Sequence, residues 1–571
     1  MRDTLPLALR RIRTLLACVA CASGCDSSTT EVLADDCTVG SPISLNVGEA
    51  THFEGVSTAT LCVSGASGQE EFLLVTASLA ESGTVAINVQ GDGLLTANGP
   101  PNPSPARVAS AFAPQVIELD PEPRLQGSRF HAVLREREKR QLSARIVGGL
   151  PGPGRASATD GVSLQSLGEL ISLNTETESA CENPKLTTGR VEAVSDRAIV
   201  VADTANPPGG FGAQDFLDLA MTFDTLVAPV VEEHFGTTGD VDGNGRVIIF
   251  FTKEVNALGV EDEALTAGFF FSRDLFPVVS PGPPLGSCTS SNEAELLYLI
   301  VPDPQGDVGD PISRAAVMRL TTVTLAHEYH HLINASQRLL DAAGPRPFEE
   351  SWLNEALSHA AEELLFYRVA GLSPRLDLGA PDLTVHQIDA LNDFQRLNFF
   401  RLLEFLKAPE DTSPFDPDVG LATRGAGWSF LRYSADRFGG DDAIVFRRLV
   451  DSSAIGLDNL AEAIGGRATL FDWLGDWGVG LYADNRVAGL PARFQDLSWD
   501  NFSLFEAGGF AGPYIATSGV ITQSVALRNV KAGGAAYFRF AVGPGRVGRI
   551  SIRRGINAPP PTLRATVLRT R

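Results

Sequence analysis

The stretch T-L-A-H-E-Y-H-H-L-I-N, residues 324–334, carries the strongest structural and chemical signal in this chain. It lies within an amphipathic pattern that predicts a helix over residues 313–337. His327 and His331 are four positions apart. On a helix this spacing places both imidazoles on one side, separated by about 6 Å along the axis. Such a pair suits two ligands of a tetrahedral zinc ion.

Glu328 stands beside the first histidine, where a carboxylate reaches a water molecule on the metal rather than the metal itself. A glutamate in this position acts as a general base on that water. His330 is a competing ligand, but Glu328 fits the reactive position only if His327 and His331 bind the metal. We therefore place His330 outside the ligand set. The alternative without metal is a helix whose histidines pair with neighbouring side chains.

A catalytic zinc needs a third protein ligand and a fourth position open to water. The segment F-E-E-S-W-L-N-E-A-L-S-H, residues 348–359, begins the next helical pattern, which continues to Ala370. Apolar neighbours on both sides of Glu355 predict that this part of the helix packs against the histidine helix. Glu350, near the helix start, is the main competitor among the carboxylates of this region, which also include Glu349, Glu362 and Glu363.

HEYHHLIN followed by WLNEALSH resembles the gluzincin metallopeptidases, and among them the hyicolysin-like secreted peptidases. The segments DVDGNGRVIIFFT at 240–252, SNEAELLYL at 291–299 and GAGWSFLRYSADRFG at 425–439 agree with this resemblance. It covers about residues 186–490. It implies a two-lobed α+β zinc peptidase domain that hydrolyses internal bonds of a protein or peptide substrate.

The same resemblance implies that Glu355, in the Asn-Glu pair of the second helix, is the third zinc ligand. The thermolysin-type pattern carries an Asp four residues later, which orients a zinc histidine, and this chain has His359 there. The orienting carboxylate therefore has to come from elsewhere, with Glu362 as a candidate.

Peptidases of this kind also need a hydrogen-bond donor for the oxyanion of the tetrahedral intermediate. Tyr433 is the first candidate, because it lies in the helical region that resembles the family. His386 is the second. For each of them, a purely structural side chain is the alternative.

Asp240, Asp242 and Asn244 match the first half of a calcium-binding loop. The second half does not match, because position twelve is Phe251 where a bidentate Glu is required. Calcium as a second metal is one interpretation of these residues. A tight Asx-type turn that leads into a strand is the other.

The chain has 571 residues, too many for one ordinary core, with 44% apolar and 20% charged residues. Alternation at Val85, Ile87 and Val89 and again at Phe538, Phe540 and Val542 predicts strands near both ends.

The charge run REREKRQ at 135–141 predicts a solvated helix face. The expected order is a signal peptide (1–24), a lipid anchor and spacer (25–36), a β-sandwich (37–118), a linker or prosegment (119–185), a metallopeptidase domain (186–500) and a small β unit (501–571).

The first residues predict export. Arg10, Arg11 and Arg13 precede an apolar run, residues 14–22, that is too short to span a bilayer. Ala-Ser-Gly-Cys, ending at Cys25, resembles the lipobox of bacterial lipoproteins, although Ala stands where Leu is usual. We therefore expect a lipoprotein on the cell envelope that contacts the membrane only through its lipid. Ordinary secretion is the alternative.

Four cysteines remain after the anchor, and an even number in an oxidising compartment predicts two disulfides. Nearness in sequence pairs Cys37 with Cys62, which leaves Cys181 with Cys288. Buried free thiols are the alternative. The formal net charge of −23 argues against nucleic acid as a partner.

These observations predict an exported zinc endopeptidase with Glu328 as its general base. Two other functions stay open. A cell-surface binding protein that kept the fold but lost activity is the first, and the intact set of His327, Glu328, His331 and Glu355 weighs against it. A zinc hydrolase of non-peptide amides or esters is the second, and the motif is compatible with it.

Overall fold

The structure is a computed structural model that describes residues 37, 41–66, 70–97, 117, 129–146, 165–262, 265–280, 282, 285–341, 343–510, 512–519 and 525–571. The expected signal peptide and lipid anchor, residues 1–36, lie outside the described residues. Among the helices of the described ranges, none combines the length and the apolar character that a membrane span requires.

The secondary structure mixes strands and helices along the whole described chain. The strands are β1 (Ala50–Glu54), β2 (Thr60–Ser64), β3 (Glu70–Ser78), β4 (Thr84–Asp92), β5 (Leu170–Asn174), β6 (Leu186–Val194), β7 (Ala198–Asp203), β8 (Val247–Phe251), β9 (Gly268–Phe270), β10 (Leu296–Leu299), β11 (Ser518–Gly519), β12 (Val525–Lys531), β13 (Ala535–Val542), β14 (Val547–Arg553) and β15 (Leu563–Arg569). The helices are α1 (Arg129–Leu142), α2 (Ala213–Thr222), α3 (Ala228–Phe235), α4 (Lys253–Asp262), α5 (Arg314–Leu339), α6 (Ser351–Ala370), α7 (Val385–Phe394), α8 (Arg396–Leu406), α9 (Leu421–Phe438), α10 (Asp442–Asp451), α11 (Gly456–Ile464), α12 (Arg467–Ala483) and α13 (Asn501–Ala507). The multidomain α+β fold class expected from the sequence is confirmed.

Strands from both terminal regions build one β-sandwich. One sheet has the order β1-β15-β3-β13-β11 and the other β12-β4-β14-β2, so each sheet combines strands from both regions. Their inner faces share one apolar core, which includes Val63, Leu74, Ile87, Val89, Phe538, Phe540, Ile550 and Val567. The sequence predicts two separate units at 37–118 and 501–571. The alternation in each segment is right, but neither segment supplies enough strands to close two sheets alone.

A six-stranded sheet of order β5-β6-β7-β8-β10-β9 forms the centre of the middle region. β7, β8 and β10 run parallel, and β9 pairs antiparallel with β10 at the edge. β7 and β8 are buried along their full lengths. This burial is typical of parallel strands that are covered on both faces.

α5 and α6 pack against each other, and α5 also contacts β9 and β10. α5 begins after Ser313, whose hydroxyl accepts a hydrogen bond from the N–H of Ala316 at 3.2 Å and caps the helix. α6 is terminated by Gly371, which follows its last residue and has a left-handed backbone with φ 65°. Both helices agree with the predicted spans to within about two residues, the usual uncertainty of helix ends.

Two glycines allow backbones to approach each other closely near these helices. A Cβ on Gly268 of β9 would lie 2.8 Å from the side chain of Thr324 on α5. A Cβ on Gly425 of α9 would lie 2.2 Å from the backbone of Arg401 on α8. Both contacts are too short for any larger residue. They bring β9 next to α5, and α9 next to α8.

Disulfides join Cys37 with Cys62 and Cys181 with Cys288. The predicted pairing is therefore confirmed, and two disulfides are consistent with export. The second disulfide connects the segment between β5 and β6 to the segment before β10. Cys181 and Cys288 are buried, and their sequence separation of 107 residues makes the closed loop long.

We expect the double change Cys181→Ser and Cys288→Ser to lower the free energy of unfolding by about 2–5 kcal/mol, because the reduced unfolded chain gains loop entropy. The matched change at Cys37 and Cys62 opens a loop with a separation of only 25 residues. It should cost less. Urea unfolding followed by tryptophan fluorescence measures both. Equal stability of the wild type and the Cys181/Cys288 variant would contradict the prediction.

Candidate metal centre

His327 and His331 of α5 and Glu355 of α6 converge on one point. The Nε2 atoms of the two histidines lie 3.2 Å apart. Glu355 places Oε2 3.5 Å from Nε2 of His327, and Oε1 3.6 Å from Nε2 of His331. Ligand atoms that surround a tetrahedral zinc at about 2.0–2.2 Å lie about 3.3–3.6 Å from one another. The three side chains therefore fit a single zinc ion.

The electrostatics of the three side chains also favour a cation. Both carboxylate oxygens of Glu355 are buried without a hydrogen-bond partner. Burial opposes ionisation of Glu355, but Arg424 and the adjacent ring nitrogens of the two histidines hold its pKa well below the usual value. Burial also acts against a charged His327, yet the carboxylates of Glu355 and Glu362 raise its pKa to about 9. Positive charge is thus stabilised here, and a metal ion can supply it.

Glu362 orients His327. Nδ1 of His327 donates to Oε1 of Glu362 at 2.7 Å, and Nδ1 of His359 donates to the same oxygen at 2.9 Å. Arg401 donates to the other oxygen of Glu362 at 3.2 Å. A carboxylate on Nδ1 fixes the ring so that Nε2 presents its lone pair to a metal. Glu362 therefore occupies the orienting position that the sequence left open at His359.

His331 and His330 share the hydroxyl of Ser358. The Ser358 Oγ lies 3.2 Å from Nδ1 of His331 and 2.8 Å from Nδ1 of His330. The ring of His330 packs against Phe235 with 4.6 Å between centroids. His330 is thus a buried support of α5, and the convergence point of the other histidines does not include it.

Glu328 is buried beside the convergence point. Its Oε2 accepts the backbone N–H of Phe270 on β9 at 2.9 Å and lies 3.9 Å from the guanidinium of Arg135. Burial raises the pKa of Glu328, although His327 and Arg135 counteract this effect. A carboxylate whose pKa lies above its usual value is a better proton acceptor at neutral pH.

A cavity of about 520 Å³ opens onto Glu328 and His327. α1, α5, α8 and α9 and the segment before β9 contribute its walls. Arg424 of α9 also lines the cavity and places Nη1 3.2 Å from Oε2 of Glu355. Its Nη2 is buried without a hydrogen-bond partner. The cavity therefore combines the buried carboxylate of Glu328, the imidazole of His327 and the cationic donor Arg424.

α1 covers the free edge of β9. The carbonyl of Ala267 accepts the N–H of Ile300, which follows β10. Because carbonyls alternate in direction along a strand, those at positions 268 and 270 face away from β10. His131 donates from Nε2 to the carbonyl of Gly268 at 2.9 Å, and Arg135 donates to the carbonyl of Phe270 at 3.0 Å. The two outward carbonyls of this edge strand are thus already occupied.

His131 also approaches the metal centre. Because its Nε2 carries the proton, its Nδ1 has a free lone pair, and this atom is buried without a partner. One ligand atom each from His131, His327 and Glu355 lie within 4.8 Å of one another. Burial and Arg424 lower the pKa of His131 well below the usual value and keep it neutral. His131 can therefore act as a fourth ligand.

The role of α1 was missed from the sequence, which predicts a solvated face for its charge run. Arg135, Arg137 and Glu138 are instead buried. Their charges are compensated: Arg135 pairs with Glu138 at 2.6 Å, and Glu138 accepts from the N–H of Ser272. Charges that are paired and hydrogen-bonded tolerate burial. The four-residue spacing of His131 and Arg135 on one helix face was the available signal.

The structure does not bring Tyr433 to this centre, which corrects its assignment as the oxyanion donor. Its hydroxyl donates to the carbonyl of Arg493 at 2.5 Å. Nine positions separate it from Arg424 on α9, which amounts to two and a half helical turns and places the two side chains on opposite faces. His386 is exposed and bonds to the carbonyl of Val369 at 3.2 Å, so it does not reach the cavity either.

Glu350 is also remote from the convergence point. Its carboxylate accepts the indole N–H of Trp352 at 2.8 Å, and the residue directly precedes the first residue of α6. Glu349 is engaged with Arg338 at 2.6 Å. Of the carboxylates weighed from the sequence, Glu355 is the one that meets the two histidines.

The chain is similar in part to a known metalloprotease. The chain is 31% identical over 147 residues to the neutral metalloprotease ShpI of Staphylococcus hyicus, a match of 25% of this chain and 29% of that protein. The chain thus matches less than a third of the length of this relative. No protein-family model matches the chain. The similarity supports a metalloprotease, which is broader than the hyicolysin-like group that the motifs resemble.

Proposed function

We propose that this protein is a zinc-dependent endopeptidase. The observation that carries the proposal is the convergence of His327, His331 and Glu355 at distances suited to tetrahedral zinc, with Glu328 beside them in a cavity. Zinc bound there would polarise the scissile carbonyl and acidify a water molecule. The similarity to a metalloprotease favours a peptide bond as the target.

In this mechanism Glu328 moves the proton. The N–H of Phe270 holds its Oε2 in place, and we assign proton transfer to Oε1. The carboxylate takes a proton from the attacking water and later delivers it to the leaving amine. Its raised pKa suits both steps, because the group must bind a proton and release it again.

Arg424 replaces Tyr433 as the proposed donor to the oxyanion. Its unpartnered Nη2 lies in the wall of the cavity that Glu328 faces. A guanidinium stays charged at every working pH, so it stabilises a negative oxygen without a proton transfer of its own.

We further propose that the segment 119–185 includes an inhibitory element, α1. An extended peptide substrate would bond to the free edge of β9 by strand addition, and His131 and Arg135 occupy that edge. His131 also lies close enough to His327 and Glu355 to share a metal with them, and its Nδ1 is unpartnered, so it would take the position that a catalytic zinc keeps open. Displacement of α1 would free the edge of β9 for the substrate and the fourth metal position for water.

Two other functions are weighed against the endopeptidase. A binding protein without activity has no need of a buried glutamate with a raised pKa beside a metal centre. A hydrolase of non-peptide amides or esters would use the same centre, and only the choice of substrate separates it from a peptidase. Export is supported by the two disulfides, while a lipid on Cys25 is proposed from the sequence alone.

Glu328→Gln should lower casein cleavage by at least about 10²–10⁴-fold, since the change removes the general base. Zinc content should stay at the wild-type level, because no ligand is lost. Casein cleavage and zinc content are measured with and without Glu328→Gln in two backgrounds, the wild type and His131→Ala. The second background ensures that inhibition by α1 does not hide activity. Near-normal cleavage by the Glu328 variants would contradict the mechanism. A parent protein that cleaves ester substrates and not casein would favour the non-peptide hydrolase.

Glu355→Ala should weaken zinc binding by more than about 100-fold, because it removes the only carboxylate among the proposed ligands and leaves histidines alone. Glu350→Ala, at the residue just before the same helix, is the matched control and should bind zinc like the wild type. Competition with a chromophoric chelator measures both affinities. Loss of zinc with Glu350 and retention without Glu355 would show that the wrong carboxylate was chosen.

His131→Ala should raise kcat/KM for a peptide substrate by at least about tenfold, since a competing closed state is removed. Zinc should also dissociate faster, because one ligand is lost, and this second readout does not depend on activity. Lys139→Ala, on the exposed face of α1, is the control and should change neither quantity. If His131→Ala lowers activity and leaves the rate of zinc release unchanged, α1 contributes to catalysis and is not inhibitory.

A further inference from the structure

We propose that Asp240, Asp242 and Glu295 form a calcium-binding site where β8 and β10 begin. Asp240 and Asp242 lie in the loop that leads into β8, and Glu295 directly precedes β10. One carboxylate oxygen from each of the three lies within 4.8 Å of the others. Oxygens that bind one calcium at about 2.4 Å lie at most about 4.8 Å apart, so one ion can reach all three.

Glu295 supplies the carboxylate that the linear calcium motif lacks. In the linear pattern the closing glutamate falls at Phe251, whose side chain is buried inside β8. Glu295 is distant in sequence, yet the parallel pairing of β10 with β8 brings it beside the loop. The N–H of Val241 donates to its Oε1 at 2.9 Å, which fixes the side chain against the loop.

The second oxygen of Glu295 is an independent sign of a ligand. Glu295 is 1% exposed, and its Oε2 has no hydrogen-bond partner. Arg246, the basic side chain that follows the loop, donates to the carbonyls of Ser195 and Asn244 instead. A buried carboxylate oxygen without a donor is costly, and a bound cation removes this cost.

The three acidic groups also repel one another. Burial, together with Asp242 and Asp240, raises the pKa of Glu295 to about 8. Burial and Asp240 likewise raise the pKa of Asp242 to about 6. A divalent cation between the carboxylates would replace this repulsion by attraction.

The chemistry of the ligands selects calcium. The set contains carboxylate oxygens and no histidine or cysteine, which disfavours zinc. Magnesium demands near-ideal octahedral geometry and retains several waters, whereas calcium accepts irregular sets of carboxylates. Bound calcium would tie the loop to β10. It would also support α5, because the N–H of Gly239 donates to Ser336 of that helix at 2.6 Å. The inference does not depend on the proposed activity.

The test uses zinc-loaded full-length protein that carries Glu328→Gln to prevent self-digestion. Addition of 10 mM CaCl₂ should raise Tm by about 3–5 °C, and 10 mM MgCl₂ should raise it much less. Equilibrium dialysis with radioactive calcium should show one bound ion that Glu295→Gln removes. Asp240→Asn, at an exposed position, should bind this ion at least about tenfold more weakly.

Asp218→Asn, a change at an exposed acidic residue on α2, is the control and should respond to calcium like the parent. No rise in Tm and no bound ion in the parent protein would overturn the proposal. Unchanged calcium binding in both Glu295→Gln and Asp240→Asn would also overturn it. If Glu295→Gln fails to fold, Asp240→Asn decides the question, because a surface change leaves the core intact.

Discussion

The buried carboxylate of Glu355 imposes the constraint on which the arrangement of helices depends. It is held deep between α5 and α6 without a hydrogen bond, so positive charge has to surround it. His327 and His331 face it from α5, on the side where we propose the metal, and Arg424 supplies positive charge from α9. Charge compensation continues beyond these residues, because Glu362 accepts a hydrogen bond from His327 and another from Arg401. The centre is therefore a continuous network of alternating charges.

Much of this centre follows from local sequence, because His327, Glu328 and His331 are fixed relative to one another by the pitch of a single helix. Glu355 was identified through a resemblance, and spacing alone left Glu350 open. Tyr433 was assigned wrongly because it belongs to α9, the helix that contributes Arg424 to the cavity, but its side chain lies on the opposite face of that helix. His131 lies far away in sequence, and a pattern of charges on an isolated helix does not show which of them will be paired and buried.

The same limit applies to the fold. Alternation predicted strands near both ends of the chain, and the strands are present. Their partners are not readable from alternation, because a strand pattern defines which face is apolar and not which strand lies beside it. The contact between Glu295 and the loop before β8 has the same origin, since it depends on the parallel pairing of β8 with β10. The sequence patterns of single strands and loops therefore do not show which distant segments pair with each other.

The shared sandwich has a consequence for how the chain matures. β3 lies between β13 and β15, so Thr76 pairs with Ala536 across 460 residues. Until those last strands have been synthesised, both edges of β3 are unpaired and its apolar face is uncovered. Contacts of such long range form slowly, and exposed edges invite aggregation. A chain that stops short of β12 therefore lacks a finished sandwich, and this difference offers quality-control proteases a means to distinguish complete molecules from fragments.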